Sequence, residues 1–122
     1  MTMTNGFPKQ VRLRSQADFD GVYQSDHFAA DNVLVIRATR NGSTQTRLGL
    51  SVSRKVGNAV VRNHWKRRIR ESFRLQQSEL PVGLDIVVRP RKGAVYDYDA
   101  IFRSLKKLCL RLDKNIPSDS QE

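Results

Sequence analysis

Residues 54–74 read RKVGNAVVRNHWKRRIRESFR, and two periodicities run through them at once. On a helix, residues four apart share a face. Val61, Trp65, Ile69 and Phe73 form one such stripe, which predicts a face turned toward a sheet. Arg62, Lys66, Arg70 and Arg74 form a second stripe, rotated by about 100° from the first. Asn63 and Arg67 continue the polar surface beyond it. Asn58, just after Gly57, is placed to cap this helix, predicted over about 59–77. The segment holds eight Lys or Arg against Glu71 alone, a net +7 of the chain's +10. A solvated helix face mixes signs to gain i,i+4 pairs. This one does not, so the ridge points to a polyanionic partner.

Upstream, 47–53 alternates, with Leu48, Leu50 and Val52 on one face and Arg47, Gly49, Ser51 and Ser53 on the other. That pattern predicts a half-buried antiparallel strand. Asn41-Gly42 is a hairpin-turn signal linking it to a β-rich run, Val33–Ile36. Residues 25–32 read as a polar connection. Ser15 and Asp18 form a capping box that opens a helix over about 16–24, with Phe19, Val22 and Tyr23 on one apolar face. Downstream, Pro81-Val-Gly83 turns the chain into Leu84–Val88, a short strand of buried type, which Pro90 and Gly93 end. Ile101, Leu105, Leu108 and Leu112 carry helical spacing through 97–112. The order α-β-β-α-β-α predicts an α+β fold. Its form is a two-layer α/β sandwich, a mixed sheet of three to four strands with three helices. The expected domain spans 11–113, between a flexible segment at 1–10 and a flexible tail at 114–122.

The 122 residues and 39% hydrophobic content fit one folded domain. No run of about 18 apolar residues predicts a membrane span, and 1–10 shows no apolar signal core; a cytoplasmic protein is expected. Cys109 is the only cysteine, which excludes an internal disulfide and a Cys-based zinc site, and its leucine neighbours predict a buried thiol. The basic run is internal and flanked by strands, which favours a nucleic-acid site over a membrane surface. No helix-turn-helix pair, zinc finger or heptad zipper is present to read a major groove. A rigid basic helix on a sheet leans instead toward RNA. His27 and His64 are the only histidines and the acids are scattered, so neither an acid/base pair nor a two-metal carboxylate site is expected. Asp97 and Asp99 read as the entry to the last helix.

Ser51, Val52, Ser53, Lys55, Gly57, Ala59, Val60, Arg62, Asn63, Lys66, Arg67, Arg70 and Glu71 together resemble the signature of the bacterial ribonuclease P protein component family. That pattern is a strand ending in Ser-Val-Ser, then Lys-x-x-Gly-x-Ala-Val-x-Arg-Asn-Arg-x-Lys-Arg-x-x-Arg-Glu. The resemblance extends over roughly 11–112. It departs at His64, where the family has Arg, and at Trp65, where the family is usually aliphatic. The apolar stripe favours the core for Trp65, with stacking on RNA as the alternative.

The resemblance implies a left-handed strand–helix–strand crossover around the basic helix. It further implies a subunit of the endoribonuclease that matures tRNA 5′ ends, whose catalytic centre lies in an RNA subunit and not in this chain. The expected partners are that catalytic RNA and the 5′ leader of precursor tRNA, with no membrane and no obligate protein partner. No cofactor is expected on the protein alone, and Mg²⁺ is required by the holoenzyme. Carried onto matching positions, the RNA contacts are Arg54, Lys55, Asn58, Arg62, Asn63, His64, Lys66, Arg67 and Arg70. Phe19, Tyr23 and Arg91 are candidates for the leader, although Phe19 and Tyr23 also fit a plain core face. Some family members carry an aromatic on the first strand of the leader cleft; the corresponding run here, Val33–Ile36, offers none. A stand-alone RNA-binding protein of ribosomal type would explain the charge but not the long pattern. A protein-only nuclease would need no RNA subunit.

Overall fold

A computed structural model describes residues 11–117. It contains α1 (Gln16–Tyr23), β1 (Phe28–Ala30), β2 (Leu34–Arg40), β3 (Arg47–Leu50), α2 (Ala59–Leu75), β4 (Leu84–Pro90) and α3 (Tyr98–Asn115). Among these residues the strands form one mixed sheet in the order β1-β2-β4-β3. The expected fold class holds: three helices, a sheet of four strands, and α2 and α3 layered on one face. The segment read as a polar connection contains β1, whose three residues are too few for alternation to register.

The capping box forms as expected. Ser15 Oγ accepts from the Asp18 N–H, and the Asp18 carboxylate accepts from the N–H of Ser15. The expected hairpin between β2 and β3 does not form. Asn41-Gly42 does turn the chain, with Gly42 at φ 73°, but β4 lies between the two strands. β4 pairs antiparallel with β2 and parallel with β3, so β3 is not an antiparallel strand. The physical reason is burial on both faces. Leu84–Val88 is buried at every position and belongs at the centre, whereas alternating β3 suits an outer position. Beyond β3, Val11–Leu13 runs along its outer side: Arg12 bridges Leu48, and the Leu13 N–H donates to the Leu48 carbonyl.

Leu34, Ile36 and Ala38 of β2, Leu84, Ile86 and Val88 of β4, and Leu48 of β3 meet Trp65, Ile69 and Phe73 of α2 and Leu105, Leu108 and Leu112 of α3 in one core. Val61 departs from the expected stripe. It is 37% exposed because it sits over the turn at Gly57, where an added Cβ would lie 2.8 Å from Val61 Cγ1. The opposite sheet face carries a smaller cluster of Leu13, Val22 and Val87, with Phe19 packed on it. α3 continues beyond Leu112 to Asn115, and the Arg40 guanidinium donates to the carbonyls of Asp113, Ile116 and Pro117. Residues 114–117 are therefore tied to the body and are not a loose tail; 1–10 and 118–122 lie outside the described residues.

Candidate nucleic-acid interface

The approach to α2 is built by local hydrogen bonds. Ser53 Oγ accepts from the Lys55 N–H and starts a single 3-10 turn, Arg54–Val56. Asn58 Oδ1 accepts from the Val61 N–H and caps α2, so this predicted RNA contact has one side-chain atom engaged in the fold. Arg62 Nε donates to the Gly57 carbonyl at 3.2 Å, which makes Arg62 a brace for the turn as well as a surface cation.

Around the anchoring stripe the expected RNA-binding residues separate onto different flanks. Lys66 and Arg70 lean toward the outer strand, where they line a cavity of about 230 Å³ with Arg12, Leu13 and Leu48–Leu50. Asn63, His64 and Arg67 line another of about 440 Å³ with Arg68 and Tyr96. Lys55 faces a third, of about 350 Å³, formed with Ser53, Val56, Trp65 and residues 89–94, which adds Arg89, Arg91 and Lys92. Trp65 is 3% exposed and belongs to the core, as the stripe predicted. The basic surface is thus a set of recesses around one helix and not a flat ridge.

Two α2 arginines, Arg68 and Arg74, sit beside partners that favour their charged form. Arg68 donates to the Tyr96 hydroxyl at 3.4 Å, which raises its pKa above the ordinary guanidinium value. Glu71 is claimed by Arg74, whose hydrogen bond lowers the carboxyl pKa. Among the described residues, Arg54, Lys55, Lys66, Arg67 and Arg70 have no side-chain hydrogen bond or ion pair. Burial pushes the Cys109 thiol up to about 12, so it stays neutral and inert. No group of three or more His, Cys, Asp or Glu that could hold a metal ion occurs among the described residues.

The leader candidates do not gather at one place. Phe19 is half-buried against Leu13, Val22 and Val87, and its ring lies where a Cβ on Gly49 would be, at 2.7 Å. Tyr23 is exposed nearby at the end of α1. Arg91 follows β4, where its guanidinium donates to the Asp31 carbonyl. Just after α1 the Ser25 hydroxyl donates to the Ala38 carbonyl of β2; Ala38 pairs with Ile86, so Arg91 lies about 16 Å further along the strand. An aromatic that the sequence pattern does not reveal takes a place beside α1. Phe28 of β1 is 59% exposed, and the Arg37 guanidinium sits 5.6 Å from its ring centroid. The register sets Phe28, Arg37, Val87 and Gly49 in one row across the face that α1 partly covers. The signal available was a lone aromatic in a polar run; only strand pairing reveals β1 as the first strand.

A family model described as Ribonuclease P matches residues 7–113. The Ribonuclease P protein component of Thermotoga sp. (strain RQ2) is 36% identical over 115 residues, covering 93% of this chain and 98% of the relative. That of Brevibacillus brevis is 43% identical over 96 residues, covering 77% of this chain and 76% of the relative. The solved structure of Staphylococcus aureus RNase P protein is 37% identical. It aligns with a TM-score of 0.73 over 85% of this chain and 95% of that one.

Proposed function

The chain belongs to the ribonuclease P protein component family, and from that premise we propose that it binds the catalytic RNA subunit through α2 and the turn before it. Family membership gives the general role, tRNA processing as part of ribonuclease P. Among the described residues, five unpaired cations on a rigid helix and its entry turn are the observation that carries the finer reading. Such charge costs self-repulsion in the free protein and is relieved by phosphates. The 5′ leader of precursor tRNA runs over the open part of the α1 face, with Tyr23 and Phe28 as stacking surfaces and Arg37 as a phosphate partner. In this reading the Mg²⁺ used in phosphodiester hydrolysis is held by the RNA. The protein's contribution is to position the two RNAs.

The test incubates the purified chain and Mg²⁺ with precursor tRNA, with and without the RNA subunit. Cleavage is expected only with the RNA present, and faster at physiological salt when the protein is added. Cleavage by the protein alone would assign the chemistry to this chain. No stimulation of the RNA would leave a general RNA-binding protein.

A further inference from the structure

The α2 flank that faces away from β3 carries more than charge. His64 and Arg68 lie one helical turn apart, as do Asn63 and Arg67. Opposite them stands Tyr96, from the connection between β4 and α3. The Tyr96 ring is 42% exposed yet firmly backed. It meets the buried Trp65 edge-on at 5.4 Å, and its hydroxyl accepts from Arg68. The Arg68 guanidinium also stacks over Tyr98, 4.1 Å from the ring centroid, which fixes the same wall from the other side. The His64 ring faces Tyr96 with centroids 6.2 Å apart and planes tilted by 38°, an open wedge. Both rings line the cavity of about 440 Å³ shared with Asn63, Arg67 and Arg68.

A base held between two rings needs about 7 Å between them, twice the stacking spacing of roughly 3.4 Å. His64 is exposed and makes no hydrogen bond among the described residues, so a small swing of its ring completes the gap. We propose that this wedge takes one unstacked base of the partner RNA. Tyr96 supplies the fixed face and His64 the closing one. Asn63 offers a donor and an acceptor to the base edge, and Arg67 meets the adjoining phosphate. His64, where the family pattern has Arg, then exchanges a phosphate fork for a stacking ring. The inference rests on the RNA-binding reading of α2 and adds a base-specific contact to it.

The experiment measures binding of the full chain to two RNA hairpins, identical except that one bulged adenosine is replaced by an abasic nucleotide. The abasic hairpin keeps every phosphate and lacks only the ring. Base–aromatic stacking predicts roughly 5- to 150-fold tighter binding of the adenosine hairpin. His64→Ala and Tyr96→Ala should each abolish that preference, so that each variant binds the adenosine and abasic hairpins alike. Tyr96→Phe should retain it, because the ring and not the hydroxyl does the stacking. His64 is on the surface of α2, so its variant tests the wedge without disturbing the core. Equal, salt-sensitive binding of both hairpins would overturn the wedge while sparing the RNA-binding reading. So would a preference that survives Tyr96→Ala. Failure to bind either hairpin at low salt would remove the RNA-binding reading itself.

Discussion

α2 and α3 lie together on the same sheet face and share one core, yet they treat their charges differently. On α3, Lys106 pairs with Glu79, Lys107 reaches Asp31, and Asp113 binds Arg40, so side chains on this helix help lock other elements in place. On α2 the single acid, Glu71, is used by Arg74, while Lys66, Arg67 and Arg70 are left without ion pairs among the described residues. The lesson is that position in a fold does not decide whether charge is structural. What decides it is whether an opposite charge was supplied within reach.

This contrast can be broken or sharpened by substitution. The largest effect is expected on the inner face of α2. Ile69 is fully buried, and Ile69→Ala should cost about 2–5 kcal/mol in urea unfolding. RNA affinity should fall only to the extent that the domain unfolds. Gly49→Ala should follow at about 1–3 kcal/mol, because its methyl group would meet the Phe19 ring at 2.7 Å. An unchanged midpoint would mean that α1 shifts freely on the sheet.

The outer face should behave in the opposite way. Arg62→Ala with Arg67→Ala should lower the slope of log K against log salt by roughly 0.7–0.9 for each phosphate left unneutralised. Arg67→Ala alone should leave stability within about 0.5 kcal/mol; Arg62 also braces Gly57, so its share of any stability loss is the larger. Lys106→Ala on α3 should leave the slope unchanged and stability within about 0.5 kcal/mol. An equal drop in slope for Lys106→Ala would erase the distinction between the two helices.

The α3 side also predicts a pH response. Burial opposes ionisation of Asp31, but the Ser104 hydroxyl, the N–H groups of Leu34 and Val33, and Lys107 outweigh it and hold its pKa at about 2. A lowered carboxylate pKa stabilises the fold above the unfolded value near 3.9. That contribution, about 1 kcal/mol after solvent screening, should be lost as pH falls from about 4 through about 2. Asp31→Asn should flatten this part of the stability profile, measured by urea unfolding at stepped pH.

Much of α2 was legible because a helix writes its contacts at i and i+4. Trp65, Ile69 and Phe73 turned inward as their spacing required, and Asn58 and Ser15 capped where their side chains could reach nearby N–H groups. Val61 escaped that logic, since its neighbour is the turn at Gly57 and not the sheet. The sheet face under α1 was less legible. Phe28 sits in a strand too short to alternate, and Arg91, although close to the core pattern in sequence, emerges at the far end of β4 from the end of α1.

Composition and periodicity alone determined an α+β fold and a two-faced basic helix whose charge points to a polyanionic partner, because charge and helical spacing are local properties. Tertiary structure decided that β4 would separate β2 from β3, that Phe28 would stand beside Arg37, and that Tyr96 would face His64. Those outcomes depend on which distant strands exchange hydrogen bonds and which faces must both be buried, and no local spacing along the chain records that choice.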